Sequence, residues 1–172
     1  GRFVETYYWD SYWIIKGLLA CGMRDTARGM VLNLLHQVDA YGFVPNGGRA
    51  YYLNRSQPPM LSDCVLLLVN DAFDLGLLRK ALPTLLREYS FWMTGGDGGH
   101  AVEVSLASGG TATLNRYVSS TEAPRPEAYR EDLETAAAVE QPHRRAVFAQ
   151  LAAAAESGWD FSSRWLSDGH SL

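Results

Sequence analysis

Residues 9–40 have the sequence WDSYWIIKGLLACGMRDTARGMVLNLLHQVDA, and this stretch decides the fold class. Apolar residues recur three or four positions apart on both sides of Gly22, which is the spacing of amphipathic helices. A glycine just past such a run is a common helix stop. We therefore predict two helices, over residues 9–19 and 25–40, joined by a short link as an αα-hairpin.

The rest of the chain alternates helical runs with long loops. Helices are predicted over residues 60–73, 75–92 and 142–155. The first of these is apolar on nearly every side, so we expect it to be buried, and the second has Pro83 at a kink or at a fresh first turn. Residues 101–106 and 111–114 alternate apolar and polar side chains around a Ser-Gly-Gly turn, which predicts a β-hairpin.

Two segments, residues 41–59 and 116–132, show no regular period and are predicted to be long loops. The overall prediction is an all-α fold of about five or six helices with one small β-hairpin inserted between them.

Composition limits the classes of partner. The 172 residues have a net charge of −4, which argues against binding to nucleic acid or to an anionic membrane surface. No apolar run approaches the ~20 residues of a membrane span. Cys21 and Cys64 are too few for a disulfide framework, and each lies in an apolar helical pattern, so both are predicted to be buried free thiols.

Asp160 is the candidate catalytic residue. Residues 156–165 have the sequence ESGWDFSSRW, which sets this carboxylate between two aromatic side chains. A carboxyl group that acts as an acid near neutral pH needs partial desolvation to raise its pKa. The flanking rings would supply that and would offer flat surfaces to a sugar ring. The alternative, a turn aspartate that accepts hydrogen bonds from local amides, stays open on this stretch alone.

Hydrolysis of a glycosidic bond needs a second carboxyl group beside the acid. Glu5, Asp10 and Glu127 are the other carboxylates in aromatic or Arg/Pro-rich loops. Glu127 lies two residues from Arg125, and a nearby guanidinium keeps a carboxyl group charged. We therefore expect Glu127 to be an ion-paired positioning residue and not a proton donor.

Several loop residues have the hydrogen-bonding groups that sugar recognition uses. They are Arg2, Asn46, Arg55, Gln57 and Arg125. Each alone is equally well explained as a solvated surface group, but together they favour a binding site for hydroxyl groups.

Other chemistries fit the sequence poorly. The four histidines are scattered without metal-ligand spacing, so no metal site is predicted. Residues 95–99 are glycine-rich but lack the Lys-Ser/Thr of a phosphate-binding loop, and no Gly-x-Ser-x-Gly elbow is present. Residues 54–56 match a glycosylation acceptor that we expect to be unused, because a glycan there would block the candidate pocket.

Blocks along the whole chain resemble the trehalase family, in the family's order. They are GRFVETYYWDSYW at 1–13 (without the leading Pro-Gly), VPNGGR at 44–49, YYLNRSQPP at 51–59, LNRY at 114–117, PRPE at 124–127 and ESGWDFSSRW at 156–165. The resemblance implies an (α/α)6 toroid, present here in part. It also implies an inverting glycoside hydrolase that cuts α,α-trehalose into two glucose molecules without a cofactor.

The resemblance also assigns roles by position in these motifs. Asp160 matches the general acid. The residues that match substrate contacts are Arg2, Trp9, Asp10, Asn46, Arg55, Ser56, Gln57, Arg125, Pro126, Glu127 and Gly158. Glu5 is not among them and is expected to be structural, and Ala128 stands where the family usually has Ser.

Two parts of the family pattern are absent: the second signature around Gln-Trp-Asp-x-Pro and the downstream Glu that acts as base. The chain also opens in mid-motif and predicts fewer helices than a full toroid needs. We therefore expect residues 1–172 to be a single partial catalytic domain, inactive alone, whose partners are trehalose and the remainder of the domain in a parent chain. Nucleic acid and a membrane are not expected partners.

Members of the family are mostly extracytoplasmic (secreted, surface-anchored or periplasmic). An extracytoplasmic location of the parent is therefore implied by the resemblance alone. Two alternative functions stay open. One is a catalytically inactive sugar-binding or regulatory variant, and the other is a related α-toroid glucosidase with another substrate.

Overall fold

A computed structural model describes residues 4–141 and 143–161. The chain forms two compact units, Gly1–Thr94 and Gly95–Leu172, and each is described by itself. Within the described residues the structure has six α-helices and one two-stranded antiparallel sheet. The predicted mostly helical fold with a hairpin insertion is therefore confirmed.

Unit 1 has four helices. They are α1 (Asp10–Ala20), α2 (Arg24–Tyr41), α3 (Leu61–Asp71) and α4 (Leu75–Trp92), with a 3₁₀ helix at Ala50–Asn54 between α2 and α3. The predicted αα-hairpin is present, and α1 ends where Gly22 takes the left-handed conformation (φ 72°) that suits glycine after a helix. Pro83 lies inside α4, and the helix continues through it.

The core of unit 1 is built from one face of each helix and from the loop before the 3₁₀ helix. Its buried members are Tyr8, Ile15, Ala27, Val31, Leu34, Leu35, Val38, Val44, Leu61, Cys64, Val65, Leu68, Leu77 and Ala81. Full burial of one such aliphatic side chain stabilises a fold by roughly 1.5–3 kcal/mol. The prediction that α3 is buried on nearly every side is wrong, because Leu66 on its opposite face is 52% exposed.

The two cysteines differ. Cys64 is fully buried in α3, as predicted, and burial with the charge of Asp63 nearby raises the pKa of its thiol to about 12. The prediction that Cys21 is buried is wrong. It directly follows α1 at the corner of the helical hairpin, where the chain turns at the surface, and is exposed.

Charged side chains close two helix ends in unit 1. Arg24, at the start of α2, donates to the carbonyls of Leu68 (3.0 Å) and Ala72 (2.9 Å) at the end of α3, where a cation also favours the helix dipole. Asp74 precedes α4 and accepts a hydrogen bond from the backbone N–H of Leu77 at 2.8 Å. That bond lowers the pKa of the Asp74 carboxyl group.

Unit 2 begins with the hairpin. Strands β1 (Ala101–Ser105) and β2 (Thr111–Asn115) pair antiparallel, with Ala101 opposite Asn115 and Ser105 opposite Thr111. A 3₁₀ turn (Pro126–Ala128) then leads into α5 (Tyr129–Ala137), which is followed by α6 (Arg144–Glu156).

The predicted loop over residues 116–132 is wrong at its end. Helix α5 begins at Tyr129 and has only two buried residues, Asp132 and Ala136. Its sequence therefore lacks the apolar period that predicts a helix. The last predicted helix, 142–155, corresponds to α6, although Pro142 lies outside the described residues. Phe148 and Ala152 are the buried residues at its centre.

Candidate active site

In unit 1 the loop after α2 is held against the segment before α1 by backbone hydrogen bonds. The amide of Tyr8 donates to the carbonyl of Asn46 (3.1 Å), and the amide of Gly48 donates to the carbonyl of Thr6 (3.0 Å). On its other side, the amide of Asn46 donates to the carbonyl of Arg55 (3.0 Å). Residues 46–48 therefore lie between two segments of the chain and are fixed by both. We call these three residues the floor of unit 1, because they support the side chains that the family resemblance assigns to substrate binding.

Gly47 fits this floor because it lacks a side chain. A Cβ atom there would lie 2.8 Å from Cε2 of Tyr52 and 3.2 Å from the carbonyl oxygen of Thr6. Tyr52 is itself 2% exposed, so its ring has little room to give way.

Asn46 and Arg55 form a buried polar pair. Nε of Arg55 donates to Oδ1 of Asn46 at 2.7 Å, and the guanidinium carbon lies 5.1 Å from the ring centroid of Tyr52. Both Asn46 and Arg55 are 3% exposed. The aromatic face and the amide oxygen therefore fix the guanidinium plane, which is the arrangement that gives an arginine a directional set of donors.

Ser56 and Gln57 continue the same segment. The hydroxyl of Ser56 donates to the carbonyl of Val44 at 2.6 Å, and Oε1 of Gln57 accepts from the amide of Trp9 at 3.2 Å. These two bonds tie the segment to the loop and to the start of α1. Trp9 is partly buried and Asp10 is exposed in the first turn of α1.

In unit 2 the central feature is an ion pair between Arg125 and Asp132. Nε donates to Oδ2 at 2.9 Å, Nη2 donates to Oδ1 at 2.6 Å, and the backbone amide of Arg125 also donates to Oδ2 at 2.9 Å. Arg125 is 5% exposed and Asp132 is 1% exposed. Burial lowers the pKa of the guanidinium, but the hydrogen bonds and charge of Asp132, with the charges of Glu127 and Asp160, raise it, so the net pKa lies above its ordinary value.

The neighbours of Arg125 differ from expectation in one respect. Glu127 was predicted to be an ion-paired positioning residue close to Arg125, and the buried carboxylate that binds Arg125 belongs to Asp132. Pro126 and Glu127 both lie exposed in the 3₁₀ turn between them, where the Glu127 charge contributes to the raised pKa of Arg125.

Asp160 lies just beyond α6. The hydroxyl of Ser157 donates to the carbonyl of Ala154 (2.6 Å) and accepts from the amide of Trp159 (3.0 Å), which folds the chain back on the helix end through Gly158. Asp160 is exposed, and the rings beside it, Trp159 and Phe161, are 52% and 51% exposed. The desolvation that these rings were expected to give is therefore not provided within the described residues.

Arg125, at the turn before α5, contacts the segment of Asp160 and Phe161. Its guanidinium carbon lies 5.0 Å from the ring centroid of Phe161, the residue after Asp160, and the charge of Asp160 also contributes to raising its pKa. The structure thus brings Arg125 and Asp160 into one cluster.

A buried carboxylate that the motifs did not single out anchors the end of α6. Both oxygens of Glu156 lie 3.1 Å from Nε2 of His100, and Oε2 accepts from the backbone amide of Val118 at 2.8 Å. His100 precedes β1 and Val118 follows β2, so Glu156 joins both ends of the hairpin segment to the helix that leads to Asp160. Burial of the Tyr117 hydroxyl, together with the charge of Glu156, raises the pKa of Tyr117.

The residues predicted from sequence therefore fall into two sets. Those in unit 1 are Trp9, Asp10, Asn46, Arg55, Ser56 and Gln57, and those in unit 2 are Arg125, Pro126, Glu127, Gly158 and Asp160. Arg2 lies outside the described residues. Sequence reasoning missed Asp132, Glu156 and His100, and the one available signal was that Glu156 directly precedes the Ser-Gly-Trp-Asp stretch.

Within residues 4–141 and 143–161, no three His, Cys, Asp or Glu side chains are grouped so that they could hold a metal ion. In the same part of the chain, no helix combines the length and the apolar character needed to cross a membrane.

Comparison with known proteins places these features in one family. The trehalase family model matches residues 1–172. The chain is 49% identical over 172 residues to trehalase from Homo sapiens, covering 98% of this chain and 28% of that protein. It is 45% identical to periplasmic trehalase from Xanthomonas campestris, covering 100% of this chain and 31% of that protein.

A solved structure agrees. Neutral trehalase Nth1 from Saccharomyces cerevisiae superposes with a TM-score of 0.77 at 27% identity, over 95% of this chain and 33% of that one. The expected fold class, an α/α toroid present in part, is confirmed by this likeness. With less than a third of the length of its relatives but a family match along all of its own length, the chain belongs to the trehalase family.

Proposed function

We propose that the parent protein of this chain hydrolyses α,α-trehalose to two glucose molecules with inversion, and that residues 1–172 are the part of its catalytic domain that contributes the general acid, Asp160. The observation that supports this most is the family match over residues 1–172, which include the loop of Asp160 and the polar loops around Arg55 and Arg125. Relatives named trehalase match over nearly the whole chain.

In the proposed reaction Asp160 donates its proton to the glycosidic oxygen as the bond from that oxygen to C1 breaks. A water molecule attacks C1 from the opposite face and gives its proton to a second carboxylate, which lies outside this chain. Such carboxyl pairs stand roughly 6.5–9.5 Å apart in inverting enzymes, to leave room for the water. The exposed position of Asp160 leaves its carboxyl group accessible, and the substrate and the remainder of the parent would supply its desolvation.

Trehalose is neutral and rich in hydroxyl groups, so its site needs fixed donors and acceptors more than net charge. Buried amide and guanidinium groups of Asn46, Arg55 and Gln57 meet that need in unit 1, and Arg125 does so in unit 2. Trp9 and Asp10 at the start of α1 would complete the first set, with Ser56 holding its loop. Pro126, Glu127 and Gly158 would line the second, and Arg2 is proposed from its motif position alone.

One test uses the full-length parent and the variant Asp160→Asn, with Asp97→Asn as an exposed-carboxylate control in unit 2. We expect Asp160→Asn to lower kcat for trehalose by about 10²–10⁴-fold, the usual contribution of a general acid, and Asp97→Asn to leave it unchanged. Equal activity of the two variants would contradict the role of Asp160.

The stereochemistry has its own test. Inversion turns the attacked glucose into the β anomer and releases the other as the α anomer, so ¹H NMR early in the reaction should show equal amounts of both. Two α anomers would indicate retention and a covalent intermediate instead.

The separated chain gives a third test. Because the base lies elsewhere in the proposal, purified residues 1–172 should release glucose from trehalose far more slowly than the parent does. Release at the parent's rate would overturn the division of acid and base. Trehalose binding without hydrolysis by the full parent would indicate an inactive sugar-binding protein, and preferential hydrolysis of maltose would indicate a related glucosidase.

A further inference from the structure

Among the residues that the structure describes, none binds one particular edge of the Arg125 guanidinium. Asp132 occupies the side edge, since it accepts from Nε at 2.9 Å and from Nη2 at 2.6 Å. Nη1 makes no hydrogen bond to any residue in 4–141 or 143–161. The end edge of the guanidinium therefore keeps two parallel donors, one N–H of Nη1 and the second N–H of Nη2, while the other N–H of Nη1 points back towards Cδ.

The plane of the guanidinium is fixed as well as its edge. Phe161 lies under one face at 5.0 Å, and the backbone amide of Arg125 also binds Oδ2 of Asp132. With the longer bond from Nε to Oδ1 at 3.3 Å, four hydrogen bonds to Asp132 and the ring of Phe161 restrain this arginine. A fork held in this way loses little rotamer freedom when it binds a ligand, so more of its hydrogen-bond energy is kept as affinity.

We propose that Asp132 is a positioning residue that aims the Nη1–Nη2 end edge of Arg125 at a pair of neighbouring hydroxyl groups of the sugar. The proposal rests on the proposed function, because it takes trehalose as the ligand of Arg125. Two parallel N–H donors match two adjacent hydroxyl oxygens on a pyranose ring. Asp132 also neutralises the guanidinium, so the site presents directional donors to an uncharged substrate without a net cation beside Asp160.

Asp132 acts through Arg125 and touches no reacting atom, so the test must separate positioning from simple structural support. In the full-length parent we would compare Asp132→Asn, Asp132→Glu, Arg125→Gln and the double variant Arg125→Gln/Asp132→Asn. The matched control is Glu134→Gln, which removes an exposed carboxylate from the same helix, where it pairs with Arg130.

The hydroxyl contacts exist in the substrate as well as in the transition state, so their loss should appear mainly in KM. We expect Asp132→Asn to raise KM for trehalose about 10-fold to 100-fold, the range for a hydrogen bond to a charged group, with kcat nearly unchanged. Asp132→Glu keeps the charge and should recover part of the affinity. In the Arg125→Gln background, Asp132→Asn should add no further loss, while Glu134→Gln should match the parent throughout.

Several outcomes would overturn the proposal. One is that the parent hydrolyses trehalose and its Asp132→Asn variant has the same KM as its Glu134→Gln variant. Another is an equal loss from Asp132→Asn with or without Arg125, which would show that Asp132 does not act through it. If Asp132→Asn fails to fold, the KM of Asp132→Glu tests the proposal instead. A KM of Asp132→Glu equal to that of Glu134→Gln then counts against it. A parent that does not hydrolyse trehalose would overturn the proposed function first, and this inference with it.

Discussion

The phenol hydroxyl of Tyr8 donates a hydrogen bond to Oε1 of Glu88 at 2.5 Å, across 80 positions of sequence, and both side chains are buried. The same phenol oxygen accepts from the backbone amides of Met60 and Leu61, each at 2.9 Å. One hydroxyl thus joins the segment before α1, the start of α3 and the C-terminal part of α4. Because Trp9 and Asp10 follow Tyr8 directly, this junction also places the first substrate-binding candidates of unit 1.

Burial raises the pKa of Glu88 to about 7, although the hydrogen bond from Tyr8 lowers it in part. The folded protein therefore holds this proton more tightly than the unfolded chain, whose carboxyl group titrates near the ordinary value. The stability from this group is fully present below the unfolded pKa and is lost as pH rises through the folded pKa. Between the unfolded and the folded pKa, the free energy of unfolding of unit 1 should fall by about 3 kcal/mol.

The variant Glu88→Gln removes this titration. We expect urea unfolding of the wild-type protein to show lower stability at about pH 8 than at about pH 5, and Glu88→Gln to show little difference between them. Asp25→Asn, which removes an exposed carboxylate from α2, should keep the wild-type dependence. Parallel pH profiles for wild type and Glu88→Gln would contradict the assignment.

The phenol oxygen itself is tested by Tyr8→Phe. The change leaves the buried amide of Leu61 and the partly buried amide of Met60 without their acceptor and buried Glu88 without its donor, and each fully buried unsatisfied group costs about 1–3 kcal/mol. We expect a loss of about 2–5 kcal/mol in the free energy of unfolding. Tyr89→Phe is the matched control, because Tyr89 is 63% exposed and surface substitutions usually change stability by less than ~0.5 kcal/mol. Equal stabilities for the two variants would show that the junction contributes little.

The sequence was a good guide wherever local chemistry determines structure. The helical hairpin of α1 and α2 was predictable because apolar spacing and Gly22 act within a few residues, and the β-hairpin follows from alternation around a Ser-Gly-Gly turn. Helix α5 was not predictable, since its sequence YREDLETAA is mostly polar and one of its two buried residues, Asp132, is a charged residue that pairs with Arg125.

The candidate site divides in the same way. Motif positions pointed to Arg55 and Arg125, but nothing in the sequence marks which group holds each arginine. Glu127 is only two residues from Arg125, yet the carboxylate that binds Arg125 belongs to Asp132, which lies beyond the 3₁₀ turn in the first turn of α5. Pairs such as Tyr8 with Glu88 or His100 with Glu156 depend on tertiary packing, which no local period encodes.

The close packing around the floor of unit 1 predicts opposite effects for two glycine-to-alanine changes. Gly47→Ala would push a methyl group against the buried ring of Tyr52, so we expect a loss of about 1–3 kcal/mol. Gly29→Ala lies inside α2, where an added Cβ meets nothing within 4 Å, and should stabilise the helix by about 0.5–1 kcal/mol. Thermal unfolding would distinguish them, and a Gly47→Ala protein as stable as wild type would contradict the packing described here.

The two thiols give a kinetic test of the Tyr8 junction. In the native protein a thiol reagent should modify the exposed Cys21 quickly and Cys64 hardly at all. Because the pKa of Cys64 is about 12, only about 10⁻⁴ of this thiol is thiolate at pH 8. Cys64 is also fully buried, so its modification requires α3 to open. Cys21→Ser should remove the fast phase and leave the slow one.

Tyr8→Phe in the Cys21→Ser background should then speed the slow phase, because Cys64 lies in the first turn of the helix whose starting amides Tyr8 binds. If opening is fast relative to modification, a loss of about 2 kcal/mol corresponds to about a 30-fold faster reaction. Tyr89→Phe should leave the rate unchanged. A slow phase unaffected by Tyr8→Phe would mean that α3 opens without breaking the bonds to the Tyr8 hydroxyl.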